Sequence, residues 1–288
     1  MTRPQRRKSP VARPRRRKFN FRRVFNPVAI IPIVVVAALV GLIIYANNKP
    51  AKPQLTPDQL EYSLLQVTTP DDLDQQLLEY TGMLISFNPS RHIPNWVSWE
   101  LTADKAKGDE PRTNSFMADP AVPGSADPKD YRHSGYDRGH MAPAGDMKWS
   151  DQAMKESFFM TNICPQDNKL NTGAWRKLEE NCRRWAMRDS AIVIVCGPIP
   201  TDPVDMKIGT NQVWVPRRFF KAVISPYSNP PRGIAFIMPN TYIKGGIQNS
   251  AVSIDEVERI TGYDLFPALP DDIENNIESQ CNFNQWSY

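Results

Sequence analysis

The sequence predicts a mixed α+β domain over about residues 60–288, placed behind an N-terminal membrane segment. Three observations predict it. A continuous apolar run, "AIVIVCG" at Ala191–Gly197, suits a central strand buried on both faces, and "FFKAVI" and "GIAFIMP" supply similar neighbours. The segment from Thr172 or Gly173 to about Met187 repeats at helical spacing: Trp175, Leu178, Cys182 and Trp185 share one face, with Arg176, Lys177, Glu180, Arg183 and Arg184 mostly elsewhere. Strands and helices follow one another without a strict βαβ rhythm, which favours α+β over a parallel doubly wound sheet.

The N-terminal elements come first. Residues 1–26 hold 11 of the 35 Lys and Arg and no Asp or Glu. The other 24 basic residues face all 31 acidic ones, so the remainder carries a net charge of −7. The basic character therefore belongs to a tail, residues 1–27, which is assigned to topology and contact with anionic lipid. "VAIIPIVVVAALVGLIIYA", residues 28–46, has no charge in 19 residues. At the rise of an α-helix it reaches roughly 28 Å, close to the hydrocarbon thickness of a bilayer. It is read as a transmembrane helix. A cleaved, secreted form is the rival, but the apolar region is long for a signal peptide and Ile44 is bulky where a small residue is wanted. An amphipathic mitochondrial transit helix is opposed by Pro4, Pro10 and Pro14. The arginine tail should stay cytoplasmic, with the C-terminal bulk periplasmic or otherwise across the membrane; insertion in the mitochondrial inner membrane is the alternative setting. Residues 47–59, "NNKPAKPQLTPDQ", read as a polar linker.

In the domain, "PNWVSWELT" alternates as a strand ending near Leu101, and Lys107–Asp130 reads largely as loop. Ser150 should cap a short helix through Glu156, and "SFFMTNI" is expected to be a strand. Ser253 and Glu256 form a capping-box pattern for a helix that stops before Gly262. Cys164, Cys182, Cys196 and Cys281 follow no metal-ligand spacing; disulfides and free buried thiols both fit. Trp175 and Trp185 read as core, and His92 and His133 as surface or structural residues.

The chemistry concentrates in "SGYDRGHMAPAGDMKW", Ser134–Trp149. His140 follows Asp-Arg-Gly at the mouth of a Pro- and Gly-rich loop, on backbone expected to be irregular. A neutral imidazole there can take a proton from water. Gly139 should let backbone and substrate come close, and Arg138 offers a planar fork of donors suited to phosphate. "DRGH" alone is a weak signal. Followed by "TNICPQDNKLNTGAWRKLEE", Thr161–Glu180, and by "VSIDEVERITGYDLFPALP", it closely resembles the DNA/RNA non-specific endonucleases, the endonuclease G-like, sugar-non-specific nucleases. The resemblance covers roughly residues 60–270 and leaves out the tail and membrane segment.

That resemblance implies a ββα-metal active site in which each motif has a part. His140 matches a general base, and Asn171 the asparagine that binds a single divalent metal, Mg²⁺ or alternatively Mn²⁺. Asn162 matches an asparagine supporting the site, Glu179 an acid holding metal-bound waters, and Arg138 an arginine near the scissile phosphate. Arg183 falls where a second, substrate-binding arginine can stand. The physics agrees in outline. A carboxamide oxygen is a neutral, hard ligand for an ion that keeps most of its waters. Eight residues of helix span about 12 Å, so Glu179 reaches such an ion through water more readily than directly. DNA and RNA are the implied substrates, with 5′-phosphate and 3′-hydroxyl products, and a homodimer is one implied assembly. A net charge of −7 cuts against nucleic-acid binding in general. A local groove built from Arg132, Arg138, Arg176 and Arg183 is expected to answer it. A catalytically silent, membrane-anchored nucleic-acid-binding module is the alternative, and an anchored interaction protein is a third reading.

Overall fold

The computed structural model describes residues 62–287. The predicted tail, the transmembrane helix at 28–46 and the linker at 47–59 all lie outside the described residues. Among the described residues, no helix is long and apolar enough to cross a membrane.

Seven strands form the central sheet. In chain order the short β1 (Val67–Thr68) precedes β2 (Gln76–Glu79), β3 (Leu84–Asn88) and β4 (Ile93–Thr102). Two strands of a separate hairpin follow, β5 (Asp137–His140) and β6 (Ile163–Gln166), and then β7 (Ala191–Pro198). A small pair, β8 (Lys207–Ile208) and β9 (Val213–Trp214), leads to β10 (Arg218–Ser225), β11 (Arg232–Pro239), β12 (Ala251–Val252) and β13 (Asp264–Leu265). The sheet order is β12-β11-β10-β7-β4-β3-β2, with every neighbour antiparallel. As predicted, β7 is central and buried along its whole length. Both faces are covered, so alternate residues feed two cores. Ile192, Ile194, Phe219 and Val223 enter one; Val193, Val195, Phe220 and Ile224 enter the other.

Four helices matter to that division. Helix α1 (Asp151–Glu156) is capped by Ser150, whose Oγ accepts from the Ala153 N–H. Helix α2 (Arg176–Asp189) buries Leu178, Cys182 and Trp185 against the first face, the stripe that its periodicity predicts. Helix α3 (Ile254–Thr261) begins where Ser253 accepts from the Glu256 N–H. It ends at Gly262, whose φ of 74° is the left-handed cap that glycine adopts without strain. Helix α4 (Asp271–Glu278) packs with α3 on the second face, through Ile254, Val257 and Ile277.

Several expectations are corrected. The "SFFMTNI" segment is not a strand: Asn162 ends a 3-10 turn, Met160–Asn162, and β6 begins only at Ile163. The turn is fixed by side-chain bonds of Asn162 that no alternation pattern reveals. His140 does not sit on irregular backbone: it is the last residue of β5 and only 8% exposed. All four cysteines are free thiols, with Cys164, Cys182 and Cys196 buried and Cys281 exposed.

Candidate active site

Strands β5 and β6 pair antiparallel, with His140 opposite Ile163 and Asp137 opposite Gln166. The chain then enters Leu170–Trp175, a widened π-type turn, before running into α2. Gly173 at φ −103° and ψ −108° takes the kink, a backbone setting few other residues adopt. The indole N–H of Trp175 donates to the His140 carbonyl at 3.1 Å, tying the helix start to the strand end. The result is a ββα unit laid on the first face of the sheet.

The backbone just after His140 is held by named partners at almost every polar atom. Met141 N–H donates to the Asn162 carbonyl at 2.9 Å, and its own carbonyl accepts from Lys221 Nζ and from Cys196 Sγ, each at 3.3 Å. The Asn162 carboxamide makes a pair of hydrogen bonds with Ala142, accepting from its N–H at 2.9 Å and donating to its carbonyl at 2.8 Å, and also donates to the Ser157 carbonyl at 2.8 Å. Asn162 is fully buried. It therefore acts on the site by fixing backbone, not by touching a ligand.

The imidazole of His140 lies among rings. Phe116 is 5.2 Å away centroid to centroid and Phe158 5.0 Å, the latter edge-on. Each phenyl ring carries a guanidinium: Arg138 sits 4.3 Å over Phe116, and Arg112 5.0 Å over Phe158. Burial first, then the charges of Arg112 and Arg138, push the histidine down to about 3. At neutral pH it is an unprotonated base. Its Nε2 is buried with no hydrogen-bond partner, a polar atom unsatisfied by the protein itself.

A polar cleft of about 510 Å³ opens beside this cluster. Its walls include Arg112, Arg132, Arg138, Phe116, Asp137 and Asn171. The structure thus brings Arg138 and Asn171 into one cleft, and His140 adjoins it through Phe116. Asn171 is oriented: its Nδ2 donates to Asp137 Oδ2 at 2.9 Å, and Asn168 donates to the same oxygen at 2.9 Å. With its nitrogen turned to Asp137, the amide keeps Oδ1 as an acceptor for something else. A hard divalent cation fits that donor, which a carboxylate holds in place.

Glu179 and Arg183, both half-buried, belong to a charge group beneath the unit with the buried Asp146 and Lys221. Arg183 donates to Asp146 Oδ1 at 2.7 Å, and Trp99 Nε1 donates to Asp146 Oδ2 at 3.1 Å. Lys221, 1% exposed, lies 4.9 Å over Trp99 and 4.5 Å over Trp175. Burial pushes Glu179 up to about 7, with Lys221 opposing and Asp146 adding to the shift. The expected groove changes membership. Arg132 and Arg138 line the cleft, Arg183 is engaged by Asp146, and Arg176 pairs with Glu180 on the exposed side of α2 at 3.7 Å. Gly139 also has a different reason from the one expected: a Cβ there would lie 2.1 Å from Gln166 Oε1, so its missing side chain makes room for Gln166, not for substrate. Sequence reasoning missed Arg112 and Phe116, which sit in the stretch read as loop, and Phe158, which sits in the segment read as a strand. Lys221 left a visible signal, a lysine inside the apolar run "FFKAVI".

Residues 61–272 match the DNA/RNA non-specific endonuclease family. The chain belongs to that family. A nuclease from Nostoc sp. is 32% identical over 270 residues, covering 86% of this chain and 97% of its own length. Mitochondrial nuclease EXOG from Mus musculus is 35% identical over 221 residues, 70% of this chain, and the match spans 60% of that relative's length. Among solved structures, endonuclease EndoG in complex with EndoGI superposes with a TM-score of 0.64 at 28% identity, covering 68% of this chain and 87% of that one. In this member of the family the "DRGH" strand and the "LNTGAW" turn face one cleft, and the "TNICPQ" asparagine braces the strand end from below.

Proposed function

We propose that this chain is a metal-dependent, sugar-non-specific endonuclease that hydrolyses phosphodiester bonds of DNA and RNA to 5′-phosphate and 3′-hydroxyl ends. The observation that carries the proposal is the grouping of an unprotonated, buried His140, two ring-stacked arginines and an oriented Asn171 amide around one polar cleft.

Arg112, Arg132 and Arg138 hold the phosphate in the cleft. Their positive charge draws in a polyanion although the domain as a whole is acidic. Stacking on Phe116 and Phe158 restricts the guanidiniums of Arg138 and Arg112 before substrate arrives, so less is lost in ordering them. His140 takes a proton from a water, whose oxygen forms a bond to phosphorus as the bond to the 3′ oxygen breaks; the departing oxygen is protonated from solvent. Asn171, with Glu179 reaching through water, would hold Mg²⁺ or alternatively Mn²⁺, and the bound ion would supply charge stabilisation to the phosphate and the leaving oxygen. Asp137 keeps the Asn171 amide from rotating. Burial, and after it the charges of Arg112 and Arg138, keep His140 free of a proton over the neutral range.

The anchor at 28–46 is part of the proposal, with the tail at 1–27 on the cytoplasmic or matrix side. The mitochondrial names of some relatives fit the mitochondrial alternative, and the Nostoc relative fits the periplasmic setting. A homodimer is proposed as the assembly and is checked by light scattering. The deciding experiment incubates the purified full chain with supercoiled plasmid and with RNA, with Mg²⁺ and with chelator. Cleavage of both substrates is expected only with metal. His140→Ala should retain DNA binding and lose cleavage, and Asn171→Ala should need more Mg²⁺. Binding without nicking in the native chain would favour the silent binding module instead.

A further inference from the structure

On the far face of the sheet, away from the cleft, three carboxylates meet where α3 and α4 pack. Asp255 and Glu258 are three residues apart on α3, hence on one side of it, and Glu278 is the last residue of α4. One oxygen from each lies within 4.8 Å of the others. Glu278 is 4% exposed, and its Oε1 has no hydrogen-bond partner. No lysine, arginine or histidine forms an ion pair with any of the three among the described residues; the nearby Arg259 is taken by Glu256 at 2.7 Å. Glu258 is held from behind, since its Oε1 accepts from the Leu265 N–H at 2.7 Å.

A buried carboxylate facing two others, without a cation, is an arrangement that proteins avoid. We propose that Asp255, Glu258 and Glu278 bind a calcium-class divalent cation that joins α3 to α4. The donor set is oxygen only, which excludes the soft-metal preference of Cys and His sites. Ca²⁺ accepts six to eight oxygens in flexible geometry, whereas Mg²⁺ demands a near-ideal octahedron, so a set gathered from two helices suits the more tolerant ion. Oxygens within 4.8 Å of one another can all touch one such ion without drawing the helices together. Asp255 is exposed, so the site has an entry path and room for water to complete six to eight ligands. The C-terminal end of α4 adds partial negative charge from its last carbonyls. Three carboxylates in a water-open shell suit an affinity of about 10⁻⁴–10⁻³ M, the range of modules outside the cytosol.

The test uses the full chain in detergent, stripped with chelator and carrying Asn171→Ala, so that the proposed cleft ion does not contribute. Calorimetric titration with CaCl₂ should give one site, and the thermal midpoint should rise with added Ca²⁺. Glu278→Gln and, separately, Asp255→Asn should each weaken Ca²⁺ binding by tenfold or more. Glu278→Gln should not lower the midpoint of the stripped protein, because a neutral amide of the same shape keeps the packing and places no charge there. No heat and no midpoint shift up to 10 mM CaCl₂ would overturn the proposal, and so would binding that survives both substitutions. Loss of nuclease activity in the Asn171→Ala background bears only on the cleft.

Discussion

The first face of the sheet, under α2 and the ββα unit, buries Lys221 and Asp146, with the half-buried Arg183 and Glu179 beside them. The second face, under α3 and α4, is apolar until its rim, where Glu278 meets Asp255 and Glu258. The same strands serve both faces, with Lys221 between Phe220 and Ala222 on β10. The difference lies in what the charges are attached to. On the first face each one is answered: Arg183 by Asp146, Lys221 by the Met141 carbonyl and two indole rings, Glu179 by Lys221. Such a network costs desolvation and returns geometry, here the fixed backbone after His140. On the second face packing holds the helices, and among the described residues the three carboxylates have no cationic partner; Glu258 accepts only the Leu265 N–H. Charge buried for positioning comes with partners, whereas charge gathered without them points to a ligand.

The largest effect is expected at His140. His140→Ala should lower plasmid nicking by about 10²–10⁴-fold, the usual contribution of a general base, while circular dichroism stays native. A next, smaller effect tests the bracing. Asn162→Ala leaves the Ala142 N–H and the Ala142 and Ser157 carbonyls without their partner. At roughly 1–3 kcal/mol for each buried group left unmade, urea unfolding should show a loss of about 3 kcal/mol or more. Cleavage should fall as well, although Asn162 touches no substrate. Asp146→Asn strands Arg183, which is 23% exposed, and should cost about 3 kcal/mol, at the low end for a broken buried pair.

A pH series sharpens the same contrast. The folded-state value of His140 is depressed to about 3, so its contribution to stability is present above about 6.5, the unfolded value. That contribution is lost as pH falls from about 6.5 toward 3, by up to about 1.4 kcal/mol per pH unit. The native chain should therefore lose more stability between pH 6.5 and pH 4 than His140→Gln does, measured by urea midpoints. The smallest effect belongs to the surface. Lys155→Ala breaks an exposed pair with Asp151 at 2.6 Å on α1 and should shift the midpoint by no more than a few tenths of a kcal/mol.

What the sequence determined by itself is what depends on local pattern. The central strand Ala191–Pro198, the apolar stripe of α2, the Ser150 and Ser253 caps and the Gly262 stop are all set by residue type and spacing over a few positions. The motifs holding His140, Asn162, Asn171 and Glu179 were legible for the same reason, because each is contiguous and ordered along the chain. Only the tertiary structure decided which groups face each other across long separations. It placed Arg112 and Phe116 of a patternless loop beside His140, turned Asn171 toward Asp137, engaged Arg183 with Asp146, and set Glu278 against Glu258. Burial and charge are sums over neighbours in space, so neither the lowered basicity of His140 nor the unanswered carboxylate of Glu278 has any counterpart in a one-dimensional pattern.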